Sequence, residues 1–180
     1  SRDISQGEFG RPAVYRISDP EETDRGLKLY GIPSLADRFL VKRGFHPGQR
    51  CLCLGTVEGD GDYTRLVKRK IRKTARRHGA IGLGSYGSRK WEKTRFTEPY
   101  MREDLNDYGI TIDTLEASVT WDNLHALHQG VRAYIKSRPR TICMTHASHF
   151  YPQGTNLYFI FIGRFEHADD YRAFQGGILD

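Results

Sequence analysis

The clearest hydrophobic pattern in the chain lies in its second half. Ile110, Ile112, Thr114, Glu116 and Ser118 alternate with Thr111, Asp113, Leu115, Ala117 and Val119, the two-residue period of a strand. The apolar side changes midway, as it does when a strand is buried differently along its length. Thr120 then stands where a cap belongs, and Trp121, Leu124, Leu127, Val131 and Ile135 recur at helical spacing through Lys136. Two further strands are predicted over 140–149 and 157–165. The turn-rich Tyr151-Pro152-Gln153-Gly154-Thr155-Asn156 joins them as a hairpin.

The first half carries the same kinds of signal. Val14 to Ile17 form a short strand, and Ser18-Asp19-Pro20-Glu21-Glu22 supplies an N-cap, a first-turn proline and early acidic residues for a helix to about Tyr30. Gly31-Ile32-Pro33-Ser34 interrupts, and a second helix from Leu35 to Arg43 is stopped by Gly44. A strand over 50–58 leads through Gly59-Asp60-Gly61-Asp62 into a long basic helix that Gly79 ends. Gly79 to Trp91 reads as a glycine-rich, aromatic passage, followed by a helix at about Pro99 to Tyr108 that Gly109 ends. Two rounds of strand–helix–strand with antiparallel pairing predict an α+β fold. It is a ferredoxin-like duplicated βαβ arrangement whose antiparallel sheet carries helices on one face.

Composition sets limits on this picture. A chain of 180 residues with 38% hydrophobic and 12% aromatic residues suits one folded domain, yet is small for an enzyme that also houses a dinucleotide. No apolar run approaches the roughly 18 residues of a spanning helix, and Ser1-Arg2-Asp3-Ile4 lacks a signal peptide's apolar stretch. Cys51 and Cys53 on one strand face, with Cys143 left over, fit a reducing, intracellular setting better than a disulfide framework.

The net charge of +6 is concentrated. Arg65, Lys68, Arg69, Lys70, Arg72, Lys73, Arg76 and Arg77 crowd one amphipathic helix with Leu66, Val67, Ile71 and Ala75 between them. A solvated face is the plain reading. Peripheral contact with an anionic membrane or an acidic partner is the functional one, and nucleic acid is not expected, because no aromatic-studded basic strand accompanies the helix.

Four groups invite chemistry. Gly82-Leu83-Gly84-Ser85-Tyr86-Gly87 has the G-x-G-x-x-G spacing of dinucleotide sites, but a helix rather than a strand precedes it, so it reads as a flexible loop. His125, His128, His146 and His149 would need a carboxylate at ligand spacing to make a metal site, and none stands beside them; no metal is expected. Arg102, early in a helix, calls for an acidic neighbour, either Glu98 or Glu103 in an ion pair or the phosphate or carboxylate of a ligand. Tyr158, in the strand Leu157-Tyr158-Phe159-Ile160-Phe161, is either a core tyrosine or a proton-transfer group.

Three strings carry a family resemblance. They are Trp91-x-x-x-Arg95-Phe96-x-x-Pro99-Tyr100-Met101-Arg102, Gly109-Ile110-x-Ile112-Asp113-Thr114-Leu115-Glu116 with Trp121 beyond, and His149-x-Tyr151-Pro152-x-Gly154-x-x-Leu157-Tyr158-Phe159-x-Phe161. In order and spacing they resemble the C-terminal part of FAD-linked oxidases, most specifically over Gly79 to Phe165 and more loosely from Pro12 onward. Relatives acting on 2-hydroxy acids carry Gly-Asp-Gly-Asn-Leu-His where this chain has Gln153-Gly154-Thr155-Asn156-Leu157-Tyr158. The tyrosine favours instead the ether-lipid-forming branch, which exchanges an acyl for an alkyl group on dihydroxyacetone phosphate without net redox change.

The resemblance implies that residues 1–180 are a single substrate-side cap domain. FAD would be bound mainly by an N-terminal domain outside this sequence, and a His-rich segment would follow it. It further implies that Tyr158 assists proton removal, that Arg102 and His149 bind a lipid-like phosphate substrate, and that a eukaryotic member would be peroxisomal. Glu103 departs from the usual aspartate while keeping its charge. Oxidation of another alcohol or 2-hydroxy acid is the runner-up, and a non-catalytic module for anionic lipid or protein is the other class. The parent's oligomeric state and the substrate's chain length stay open.

Overall fold

The computed structural model describes residues 14–29, 31–94 and 98–179; Pro12, Arg95 and Phe96 of the strings above lie outside them. The elements run β1 (Val14–Ser18), α1 (Pro20–Leu29), α2 (Ser34–Lys42), β2 (Leu52–Thr56), α3 (Gly61–Arg77), α4 (Tyr86–Thr94), α5 (Glu98–Asn106), β3 (Ile110–Thr120), α6 (Leu124–Ser137), β4 (Ile142–Ser148), β5 (Gly154–Arg164) and α7 (Ala168–Leu179). A 3₁₀ turn, Trp121–Asn123, joins β3 to α6. The predicted stops at Gly44, Gly79 and Gly109 all have left-handed φ (89°, 74° and 67°), where a side chain would be strained.

The five strands form one antiparallel sheet in the order β2-β1-β4-β5-β3. β5 inserts between β3 and β4, so the second round is a split βαβ unit. In the first round β1 and β2 are direct neighbours. The α+β expectation holds, with an antiparallel sheet whose main helical layer lies on one face.

The register explains which face is buried. Cys143, Thr145 and Ala147 lie opposite Phe161, Phe159 and Leu157, which in turn face Asp113, Leu115 and Ala117. Phe159 and Phe161 are fully buried, and α6 and α7 cover them through Ile135 and Phe174. α3 closes the β1 end through Val67, packed against Tyr15 and Val57. Asp60 caps α3 by accepting the Tyr63 N–H at 2.8 Å. The change of apolar side along β3 is real: Asp113 lies on the helical face and accepts hydrogen bonds from the Tyr171 hydroxyl and from Gln175.

Three local expectations need correction. The predicted loop around Gly82–Gly87 runs into a helix, α4. Ser85 opens it by accepting the Arg89 N–H on its carbonyl at 3.1 Å and the Arg89 guanidinium on its hydroxyl. α4 leans on the other face of the sheet, with Gly87 against Leu54 and the Arg16 guanidinium 5.3 Å from the Trp91 ring centroid. Beyond Phe165 lies a further helix, α7, whose Phe174 enters the core. The hairpin loop is shorter than predicted: β5 begins at Gly154, where an added Cβ would collide with the Val119 backbone.

Candidate functional site

The face of the sheet opposite α6 and α7 gathers the chemistry. Strand alternation sends Ser18, His146, Tyr158 and Glu116 to that side as one row across β1, β4, β5 and β3. Ser148, Asn156 and Ser118 form the next row, with Arg16 at its β1 end. In the other direction along the strands, the face turns aliphatic, with Met144 opposite Ile160 and then Ile142, Ile162 and Ile112. These aliphatic side chains are only half-buried. A polar end and an aliphatic strip thus share one surface.

Tyr158 is half-buried in the polar end. Its ring is stacked on the His146 imidazole, with centroids 5.0 Å apart and planes 18° from parallel. The Nδ1 of His146 lies 3.2 Å from both carboxylate oxygens of Glu22, a buried residue in the first turn of α1. Arg16 meets the same carboxylate at 3.7 Å. On the far side of Tyr158, Asn156 donates to Glu116, and the Ser118 hydroxyl lies 3.4 Å from the Asn156 amide oxygen. In the register Tyr158 thus stands between His146 of the ion-paired cluster on β4 and Glu116 of the hydrogen-bonded cluster on β3.

His149 lies just past the end of β4 with φ of 52°, in the left-handed region uncommon for side-chain-bearing residues, and its exposed ring meets the Ser148 hydroxyl at 3.0 Å. Arg102, on α5, pairs with Asp113 at 3.4 Å. Asp113 lies beyond the two acidic partners considered from the sequence, Glu98 and Glu103. Because Asp113 shares the helical face with Phe161 while Tyr158 points the other way, no described contact joins Arg102 to Tyr158.

The four imidazoles are not gathered into one site. His128 meets Asp19 at 3.4 Å on the helical side, and His146 meets Glu22 on the other. The Asp19 carboxyl feels burial, which raises its pKa, but hydrogen bonds from His128 and the Glu22 N–H together with the Arg132 charge outweigh that and hold it below the usual carboxylate range. A concavity of about 580 Å³ nearby is walled by Asp19, Glu21, Asp24, His128 and Arg132, most of which already pair with one another. Burial pushes the Cys143 thiol up to about 11, which keeps it protonated and unreactive at neutral pH.

Sequence reasoning singled out Tyr158, Arg102 and His149 but missed Glu22, Arg16 and Glu116 as neighbours of the site. His146 it judged to have no carboxylate beside it. The carboxylate exists, 124 residues away in sequence, where no local spacing rule reaches. The one available signal was strand parity, which puts Glu116 and Ser118 on one side of β3.

FAD chemistry would need a cradle for a pyrophosphate. Gly82 to Gly87 does not supply one, because α3 rather than a strand precedes it and Gly87 packs on Leu54.

Comparison with known proteins gives a consistent pattern. The family described as FAD linked oxidases, C-terminal domain, matches residues 5–176. The chain is 29% identical over 168 residues to a protein of Dictyostelium discoideum named alkyldihydroxyacetonephosphate synthase, covering 85% of this chain and 27% of that protein. A protein of the same name from Caenorhabditis elegans is 24% identical over 127 residues, covering 66% of this chain and 21% of its own. A solved structure of an alkyldihydroxyacetonephosphate synthase superposes with a TM-score of 0.83 over 99% of this chain and 35% of the other, at 24% identity. The chain therefore spans about a quarter of the curated relatives' length.

Proposed function

The chain belongs to the C-terminal domain family of FAD-linked oxidases, and from that premise we propose that it is the substrate-side domain of an enzyme exchanging the acyl group of an acyl-dihydroxyacetone phosphate for an alkyl group. The observation that carries the reading is the single surface that presents Tyr158 in a polar cluster beside a half-buried aliphatic strip. An amphipathic substrate with a phosphorylated head and a long chain needs both surfaces side by side.

In this reading FAD, held mainly by residues outside this chain, supplies the redox-active ring at which the carbon–oxygen bond is exchanged. The chain's own residues bind, orient and move protons. Tyr158 is the proton-transfer group at the substrate carbon: its oxygen takes the proton as phenolate and returns it later as phenol. The exposed His149 ring meets the phosphate; the Arg102 guanidinium, bound only loosely by Asp113 on the helical side of the edge strand β3, keeps donors for an anion and reaches the phosphate around that edge. The Met144, Ile160, Ile142 and Ile162 strip lines the path of the chain and keeps water from it.

The test is Tyr158→Phe in the full-length protein, assayed with acyl-dihydroxyacetone phosphate and a long-chain alcohol. The change removes one oxygen and almost no packing volume, so fold and flavin content should persist. Turnover should fall by about 10²–10⁴-fold, the usual worth of general acid–base catalysis. A folded, FAD-loaded variant with near-normal turnover returns Tyr158 to the sheet as a packing residue.

A second reading concerns α3. Between Gly61 and Arg77 eight cations stand against Asp62, a net of +7, whereas the whole chain carries +6. All remaining residues together carry −1. The reading is that this helix meets an anionic membrane surface from which a lipid substrate is drawn.

A further inference from the structure

We infer that Glu22 and His146 act as a positioning pair for Tyr158, fixing the plane of the phenol that the proposed reaction uses. The inference rests on the proton-transfer reading of Tyr158 and goes beyond it by assigning the groups that hold the ring.

The chain of contacts is short. A carboxylate only accepts hydrogen bonds, so with both oxygens of Glu22 3.2 Å from Nδ1, that nitrogen must carry the proton. This sets the tautomer and locks the imidazole about its own axis. Burial of both partners strengthens the hold, since the side chains of His146 and Glu22 are 11% and 10% exposed. Arg16, at 3.7 Å, offsets the negative charge that Glu22 would otherwise bury alone. The imidazole then presents its face, not its edge, to Tyr158.

That orientation decides between two roles. An imidazole that takes a phenol's proton must meet it edge-on, in the plane of its own ring, where the nitrogen lone pair lies. At 18° from parallel the two rings cannot share a proton directly. His146 is therefore not the base that recharges Tyr158. It restricts rotation of the phenol about its Cβ–Cγ bond from the β4 side, while on the β3 side Glu116 is the residue directly opposite Tyr158 in the register. α1 contributes to the site for a local reason. Asp19 caps its first turn by accepting the Glu22 N–H at 2.8 Å, and the Asp19 N–H bonds the Thr145 carbonyl at 2.7 Å. Those two bonds dock the helix start beside β4, one residue from His146.

The experiment is a double-mutant cycle in the full-length, FAD-loaded protein, with turnover expressed per bound flavin and acyl-dihydroxyacetone phosphate plus a long-chain alcohol as substrates. His146→Ala should lower kcat by about 10- to 100-fold, the scale on which small misplacements of reacting groups act, with KM changed less than about threefold. His146→Phe, which restores a flat ring, should recover a large part of that loss. In the Tyr158→Phe background His146→Ala should cost nothing further, because a residue acting only through Tyr158 has nothing left to position. A merely structural histidine would lower stability in both backgrounds alike and leave kcat per folded enzyme unchanged.

A folded His146→Ala protein with kcat within about twofold of the parent overturns the inference, as does an undiminished loss in the Tyr158→Phe background. If His146→Ala does not fold, Glu22→Gln decides: its shape is kept but one of the two acceptors becomes a donor, so unchanged kcat would overturn the pairing. Normal turnover by Tyr158→Phe itself would overturn the proposed reaction and this inference together. Loss with Tyr158→Phe but not with His146→Ala would overturn this inference alone.

Discussion

Arg102 and Tyr158 show how differently two side chains can be held. Tyr158 is half-buried with its ring stacked on His146, whereas Arg102 keeps 53% of its side chain in solvent and meets Asp113 at 3.4 Å, near the limit of a useful hydrogen bond. Asp113 is also engaged by Tyr171, whose hydroxyl is pushed up to about 12 by burial and by that carboxylate. The guanidinium is thus oriented without being consumed. If it holds the substrate phosphate, Arg102→Lys in the full-length protein should weaken substrate binding by about 1.5–3 kcal/mol, because an ammonium cannot reproduce the bidentate fork. Titration with a phosphorylated substrate analogue checks this, and unchanged affinity would leave Arg102 as a partner of Asp113 alone.

At the scale of elements, α1 and α6 are joined by an ionic clamp. Arg132 donates to Asp19 at 2.7 Å and to Glu21 at 2.8 Å, while Lys136 reaches Glu21 at 2.7 Å. Both carboxyls feel burial, which raises their pKa values, but the facing cations and hydrogen bonds outweigh it and hold both below the usual range. A depressed folded pKa means stability that is fully present above the unfolded value of about 3.9 for Asp19 and is lost as pH falls through the folded one. Urea midpoints should therefore decline below about pH 4, and Asp19→Asn should flatten that decline while lowering stability at neutral pH. A parallel decline in the variant would place the acid-sensitive groups elsewhere.

α3 makes a separate prediction. Arg65, Arg69, Arg72 and Arg76 are all exposed and recur at intervals of four, three and four residues. At about 100° per residue they keep within roughly 40° of one line, opposite buried Val67 and Thr74. Replacing all four by Gln should reduce binding to phosphatidylglycerol vesicles at least about a hundredfold at low salt, at about 1 kcal/mol per basic residue near the surface. Cosedimentation reads this directly. No binding by the parent chain would make the stripe a solvated face.

These elements also show what could be read from the chain before its structure. β3, α6 and α3 announce themselves through local periodicity, and the glycine stops of α2, α3 and α5 fall where the backbone turns left-handed. α4 and α7 do not. One has nine residues with Tyr86 and Trp91 as its only large apolar side chains, and the other hides its contribution of Phe174 behind Gly176 and Gly177. The site divides the same way. Tyr158 stands out in its strand, but Asp19 with Arg132 and Glu22 with His146 are separated by 113 and 124 residues. Such pairs are created by sheet order, which hydrophobic pattern leaves undetermined.

At the scale of the whole molecule, the sheet is unequally clothed. One face carries Phe159, Phe161 and Cys143 under α6 and α7, a core large enough to fold around. The other carries Tyr158 and the aliphatic strip, with α4 over its β2 end. The chain should therefore fold alone yet fail to retain the cofactor of its family. Among the described residues the glycine string Gly82 to Gly87 is the only dinucleotide-like spacing. It lies between two helices, with Gly84 at φ of 78° and Gly87 against Leu54. A pyrophosphate site needs a strand feeding a helix whose N-terminal amides converge on the anion, and α3 occupies the place of that strand. The purified chain should show a cooperative thermal transition and no stoichiometric flavin absorbance, and added FAD should leave its transition temperature unchanged. A yellow protein with one FAD per chain, or a transition raised by FAD in proportion to its concentration, would mean that the open face holds the cofactor itself.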